Sequence, residues 1–474
     1  MPDNPIPTDP ERAAGSEAEL VDLGHPRRVH VVGVGGAGMS AIATVLSAMG
    51  HVVTGSDLRA SAVTERLEAY GVPVAIGHRG AQVGSAEIVT FSPAVPPTNP
   101  ELVAAAAQGL SVVRRAEMLS AIAATRRTVA VAGTHGKTTT SSMLSVMLVE
   151  AGLRPSFLIG ADVHEVGTNA VWDEGEWLVL EADESYGTFQ MLRPEIAVLG
   201  NVEADHLDHY GTFDALRQAF GGFLAASRRT ALVGADDPEA AALGAIHGAA
   251  SVGTSADATY RMVRVELRRS ASTFDLVGPA GSLGRLEVPV PGLHNARNAA
   301  LATVAALETG ATMAHAAAAL ARFTGVPRRF EFRGSAAGVT FVDDYAHLPS
   351  EVRAALAAAR PGEWSRIVAV FQPHLYSRTA ALAGEFGASF ADADVVVVTG
   401  VFGARESPVP GVTGQLVADA VTANYPRTPV HYVAERHQVA AAVARLLVPG
   451  DLCCTLGAGD LTALPDELLA APSW

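Results

Sequence analysis

Residues 128–140 read TVAVAGTHGKTTT. Val129 to Ala132 form a short apolar run of the kind that makes a buried strand, and Gly133 and Gly136 break it. The stretch Ser141 to Glu150 then has helical character. Strand, glycine turn and helix in this order build a phosphate cradle, because N–H groups at the helix N-terminus face the anion and glycines let it approach. The loop is shorter than the common G-x-x-x-x-G-K-[ST] form, with G-x-x-G-K-T instead. Its parts are the same. Gly133, Thr134, His135, Gly136, Lys137, Thr138 and Thr139 form a nucleoside triphosphate site in which Lys137 neutralises β/γ charge and the Thr138 hydroxyl can ligate Mg2+. Of 34 Lys and Arg residues, one alone is lysine, Lys137. A chain that uses arginine for its surface charge keeps an ammonium where a compact cation is required.

A second glycine turn lies upstream. The apolar run Val29–Val34 enters Gly33, Gly35, Gly36, Ala37 and Gly38, which satisfies G-x-G-x-x-G, and a helix is expected from Ala37 to Met49. Asp57 follows 19 residues after Gly38, at the end of a second apolar run, where a ribose-binding acid would sit. This turn suits a diphosphate and by itself does not separate a dinucleotide from a UDP-sugar. Further apolar runs at Val52–Gly55, Ile88–Phe91, Leu178–Leu180, Ile196–Leu199, Ile367–Phe371 and Val395–Val398 alternate with helical segments, which indicates parallel α/β sheets.

Two of those runs end in clustered acids. Trp177–Leu180 leads into Glu181-Ala182-Asp183-Glu184-Ser185, a group that would repel itself without cations, and Glu181 is the first choice as a Mg2+ ligand. Ile196–Leu199 leads to Asn201-Val202-Glu203-Ala204-Asp205-His206-Leu207-Asp208-His209, where His206 is a second candidate ligand.

The 474 residues are 49% hydrophobic and 18% charged, enough to bury large cores and too apolar for a disordered chain. A net charge of −15 disfavours a nucleic-acid-binding surface. Neither an apolar run long enough to span a membrane nor a secretory leader stands out, and two adjacent cysteines, Cys453 and Cys454, make no disulfide framework. A cytoplasmic enzyme is expected, without membrane insertion. Four blocks follow: an acidic tail at 1–24, with six acids against Arg12, then 25–125, 126–326 and 327–474. Residues 259–290, inside the third block, look antiparallel around Ser270, Gly278 and Gly284.

The strings GTHGKTTT, EADES, NVEADHLDHYG, PGLHNARNA, PRRFE, VDDYAHLP and FQPHLYSRT occur in this order. Together they closely resemble the Mur ligases of peptidoglycan synthesis, and most of all the alanine-adding branch. The similarity covers residues 27–465. The resemblance implies an N-terminal Rossmann-like domain for a UDP-sugar, a central P-loop ATPase-type domain with a mostly parallel sheet and a small antiparallel portion, and a C-terminal Rossmann-like domain for the amino acid. On this basis Gly33, Gly35, Gly36, Ala37 and Gly38 would hold UDP, with Asp57, Ser92 and Arg115 as helpers. Thr138 and Glu181 would share one Mg2+, and His206 would hold a second. His294 and Asn295 match the adenine side of ATP, Arg329 a linker arginine that reaches phosphate, and Asp344 a position near the ATP ribose or the amine. His347 is implied as base or positioner for the amine, and Arg378 as partner of a substrate carboxylate or phosphate. The expected reactants are ATP, UDP-N-acetylmuramate and L-alanine, with the chain a monomer or homodimer. Leu348 and Leu375 stand where many relatives carry histidine and arginine. Lys137, as the sole lysine, excludes the carbamylated lysine used by several sister ligases.

Overall fold

The computed structural model describes residues 21–470 except 186 and 405. Most of the expected acidic tail therefore lies outside the described residues. Of its last four positions, Leu23 is already buried in the core. The chain forms three sheets and packs into two compact units. One carries the described residues up to 262 with 277–281 and 300–319; the other carries 263–276, 282–299 and the chain from 320 onwards.

The first unit opens with five parallel strands in the spatial order Val74–Ile76, Val52–Asp57, Arg28–Val32, Ile88–Phe91, Ser111–Arg114. Each pair runs parallel, so the loops after Val32, Asp57 and Phe91 meet at one edge. The helix expected from Ala37 to Met49 spans Ala37–Ala48. In the sheet that follows, the strand Arg127–Ala132 lies between Trp177–Glu181 and Ile196–Leu199, parallel to both. That order puts both acid-rich loops beside the turn at Gly133. The helix beyond the turn begins at Lys137 rather than Ser141, so Lys137 and Thr138 lie in its first turn.

Residues 260–288 form strands Tyr260–Leu267, Ser272–Gly278 and Gly281–Val288. Connections this short between neighbouring strands require antiparallel pairing. Gly284 lies inside the last strand instead of at a turn.

The second unit holds six strands in the order Glu331–Ala336, Val339–Asp344, Asp451–Leu456, Arg366–Phe371, Val395–Thr399, Val430–Val433. Only the first pair is antiparallel. Its central strands are buried on both faces, as parallel sheets between helices are. In Arg366–Phe371, Ile367, Ala369 and Phe371 enter one core cluster, while Val368 and Val370 enter the other. Cys453 and Cys454 divide in the same way, one to each face. Burial pushes the Cys453 thiol up to about 12, so it carries almost no thiolate near neutrality.

One buried polar knot ties the first sheet to its helix layer. Asn99 caps the helix Pro100–Ala107 and brings Glu101 inward. The Glu101 carboxylate meets His30 Nε2 at 2.7 Å, the Ser56 hydroxyl at 2.7 Å and His78 Nδ1 at 2.9 Å. Burial opposes its charge, yet the bonds from His30, Ser56 and His78 outweigh that and hold its pKa below the usual 4.5. The stabilisation from this carboxylate is therefore present above that pH and fades as pH falls further. Glu101→Ala strands two imidazoles and a hydroxyl, and should cost about 3–5 kcal/mol in chemical denaturation. The same change at exposed Glu68 should stay within about 0.5 kcal/mol.

Candidate active site

The turn at residues 133–136 is shaped by contacts that only particular residues allow. Gly133 has φ +133°, and a Cβ there would stand 3.1 Å from the Asn201 amide nitrogen. Gly136, at φ +78°, starts the helix Lys137–Glu150. No acidic residue belongs to the first turn of that helix, whose N–H groups carry partial positive charge. Asn201 clamps the turn: its Oδ1 accepts from His135 N–H at 2.8 Å and its Nδ2 donates to His135 O at 3.0 Å. Thr134 Oγ1 accepts from Glu203 N–H at 2.9 Å, and His135 Nε2 lies 3.2 Å from a Glu203 carboxyl oxygen. Thr139 is buried on the inner face of the helix.

Lys137 points into this pocket. Its Nζ donates to Gly133 O at 2.8 Å and to both Glu184 carboxyl oxygens, at 2.8 and 2.7 Å. Burial opposes the ammonium charge, but the facing Glu184 and Asp183 carboxylates more than offset that and hold its pKa above the ordinary lysine value. Burial, reinforced by Asp183, pushes the Glu184 carboxyl upward despite the lysine. For Asp183 burial again works against the charge, and Lys137, Ser185 and Arg115 overcome it, lowering the pKa.

The first glycine turn belongs to the same unit. Gly33 has φ +77°, and Gly35 N–H donates to Asp57 Oδ2 at 2.8 Å. Asp57 thus holds the loop itself, and its Oδ1 accepts from Arg59 N–H at 3.3 Å. Ser92 lines the turn, its Cβ 3.1 Å from where a Cβ on Gly33 would stand. Gly36 precedes the helix that Ala37 opens. Arg115 is the bridge between the two loops. Its Nη1 lies where a Cβ on Gly38 would collide, and its Nη2 pairs with Asp183 at 3.2 Å.

The Mg2+ expected here would need oxygen donors. The Thr138 hydroxyl is half-buried, and Glu181 Oε2 accepts a single N–H, from Gly160 at 2.7 Å. His206 sits at φ +52°, with Nε2 3.5 Å from Asp205. Among the described residues no three His, Cys, Asp or Glu side chains come together as a complete metal cage. Thr138 and Glu181 suit a hard cation that keeps water and substrate phosphate in most of its shell.

The remaining candidates lie in the second unit. Asn295 is buried and donates to Pro291 O at 2.7 Å, next to His294 at the start of the helix Leu293–Thr309. Arg328 and Phe330, at φ +60° and +49°, bend the linker around Arg329. Asp344 holds that bend, accepting from Phe330 N–H at 2.7 Å and Ala346 N–H at 2.8 Å. Arg329 faces Glu351 at 3.5 Å and the Tyr345 ring at 5.1 Å. His347 and Arg378 come together through His374, whose ring lies 5.8 Å from His347 and whose Nδ1 lies 3.2 Å from Arg378 Nη1. His374 stacks on Phe402 at 6.0 Å. Leu348 is buried at the helix start, and Leu375 holds φ +69° beside His374.

Glu184, Asn201, His374 and Glu351 were not singled out from sequence. The first three stand in the quoted motifs. Glu351 had its own signal, a glutamate at the third position of a helix.

Burial lifts the Asp344 carboxyl to about 6, against the pull of Arg329. The folded state therefore binds this proton more tightly than the unfolded chain does. Stability contributed here is full below the ordinary 3.8 and is lost as pH rises toward 6. Relative to wild type, Asp344→Asn should gain on the order of 3 kcal/mol between about pH 4 and pH 7. Denaturation series at both pH values test this, and a pH-independent difference would refute it.

Family models match the chain in order: "Mur ligase family, catalytic domain" over residues 28–127, "Mur ligase middle domain" over 131–306, and "Mur ligase, glutamate ligase domain" over 328–459. A UDP-N-acetylmuramate–L-alanine ligase of Saccharopolyspora erythraea is 48% identical over 458 residues, covering 94% of this chain and 93% of that one. The enzyme of the same name from Thermobifida fusca is 42% identical, with 96% and 98% covered. Among solved structures, MurC of Thermotoga maritima superposes with a TM-score of 0.78 at 26% identity, covering 94% and 98%. A murein peptide ligase of Psychrobacter arcticus shares the fold, with a TM-score of 0.67 at 23% identity and the same coverage. With three family models in sequence and such identity along nearly its whole length, the chain belongs to the Mur ligase family.

Proposed function

We propose that this chain joins L-alanine to the carboxylate of UDP-N-acetylmuramate, consuming ATP and releasing ADP and phosphate, a step in peptidoglycan precursor synthesis. The observation that carries this reading is the sole lysine, largely withdrawn from water at a glycine turn and held by the Glu184 carboxylate, with Asp183 close by, just beyond the end of the neighbouring strand. The names of the relatives support the choice of substrates. No described helix is long and apolar enough to cross a membrane. The reaction belongs to the cytoplasm, because UDP-sugar and ATP occur there.

The parts divide the work. The amides of Gly33 to Gly38 receive the UDP diphosphate, with Asp57, Ser92 and Arg115 beside it. The turn Gly133–Thr139 receives the ATP phosphates, and Lys137 exchanges its bond to Glu184 for one to a phosphoryl oxygen. His294 and Asn295 serve the adenine side, and Arg329 reaches phosphate from the linker. Asp344 holds the linker that aims it. Thr138, Glu181 and His206 would hold Mg2+, which when bound offsets charge on the transferring phosphoryl group.

The muramate carboxylate oxygen attacks the γ-phosphorus, ADP leaves, and an acyl phosphate forms. The neutral amine of L-alanine attacks the acyl carbon, phosphate leaves with the bonding pair, and the surplus proton passes to a base. His347 is that base, and Arg378 pairs with a substrate carboxylate or phosphate.

Phosphate release from Mg-ATP should require both UDP-N-acetylmuramate and L-alanine. Release with a murein tripeptide and not with L-alanine would move the chain to the recycling ligases that the Psychrobacter arcticus structure represents. Lys137→Ala should abolish release while calorimetry still detects UDP-N-acetylmuramate binding, whereas loss of both together would count against two separate anion sites.

A further inference from the structure

Glu351 is a side chain that no role above uses, and it gathers an unusual number of donors. It occupies the third position of the helix Pro349–Ala359 and is 9% exposed. Its Oε2 accepts from His347 N–H at 2.9 Å and Leu348 N–H at 3.2 Å, and lies 3.1 Å from His347 Nδ1. Its Oε1 faces Arg329 at 3.5 Å. His347 Nδ1 also lies 3.0 Å from Tyr345 O. A carbonyl and a carboxylate can only accept, so Nδ1 carries the proton and the lone pair of neutral His347 stands on Nε2. Nε2 makes no hydrogen bond among the described residues, while the ring is held edge-on by Tyr345 at 5.2 Å and His374 at 5.8 Å.

His374 is wired in the opposite sense. Arg378 can only donate, so His374 Nδ1 accepts and its Nε2 carries the hydrogen. The two rings therefore hold opposite tautomers. Around them stand Tyr345, Asp344, Arg329 and Arg378, of which Arg329 competes for the same carboxylate.

We infer that Glu351 is a positioning residue for amide formation: it fixes the His347 ring, with Nε2 as its free acceptor, and stabilises the imidazolium formed when the amine gives up its proton. This rests on the ligase reading above. His347 Nε2 takes a proton from the alanine ammonium, the freed amine forms the N–C bond, and the acyl–oxygen bond breaks, the departing phosphate taking the proton left on the new amide nitrogen. His374, already an acceptor at Nδ1, cannot take that proton there without losing its bond from Arg378.

The test compares two acceptors. L-Alanine exists mainly as the ammonium near neutral pH and must lose a proton before attack. Hydroxylamine is neutral there and traps an acyl phosphate without that step. Glu351→Gln keeps an acceptor for the helix N-terminus, so the fold should persist. It should lower kcat with L-alanine by about 10²-fold, leave KM for ATP and UDP-N-acetylmuramate within about twofold, and spare hydroxamate formation. Glu351→Asp should recover part of the loss. Equal loss with both acceptors, or no loss with either, would overturn the role. Wild-type protein silent with every amine would defeat the ligase reading itself. Nitrogen-15 correlation spectra of histidine-labelled full-length protein decide the geometry independently of turnover: neutral His347 should carry its proton on Nδ1, and a proton on Nε2 would overturn the inference.

Discussion

An ammonium taken out of water must find negative charge, and Lys137 finds it in Glu184, with Asp183 close behind. That requirement organises the surroundings. The carboxylates sit beyond the strand Trp177–Glu181, so the strand must lie next to Arg127–Ala132, as it does. Glu184 and Asp183 in turn could not share a buried corner without cations, which Lys137 and Arg115 supply. Removing one partner from such a cluster leaves the others uncompensated, and that penalty exceeds what the pair contributes when intact. Burial, reinforced by Asp183, keeps the Glu184 carboxyl above its ordinary value even with Lys137 against it.

The same logic runs between the two glycine turns. Both follow a central parallel strand, and both open onto helix N-termini. Arg115 reaches from the first turn to Asp183 at the second, so one guanidinium lies between the two glycine turns. In the second unit the polar groups also gather at the carboxyl ends of parallel strands, after Asp344, Phe371 and Leu456. Ligands bind at that edge of open α/β sheets because the loops there are free to vary while the strands below remain locked by packing.

Three of the strained backbone positions lie beside these polar groups. Leu375, at φ +69°, lies beside His374, and Arg328 and Phe330 flank Arg329. A non-glycine residue in the left-handed region costs of order 1–3 kcal/mol and persists only where the surrounding bonds over-determine it. Asp344 supplies such bonds at the linker, and Phe402 O accepts from Leu375 N–H at 2.9 Å.

Sequence alone determined the strand runs, the two glycine turns and the singular importance of Lys137, because short apolar runs and glycine spacing are local properties. It also located the antiparallel insert, missing only the place of Gly284. Tertiary structure decided which groups meet. No spacing argument pairs Lys137 with Glu184, 47 residues away, or Arg115 with Asp183, 68 residues away. Nor could it show that Asp57 and Asp344 spend their carboxylates on their own backbone, or that Glu351 stands beside His347 with His374 facing it. Those outcomes depend on strand order and on which N–H groups the folded chain leaves without partners, and both are set only when distant segments pack.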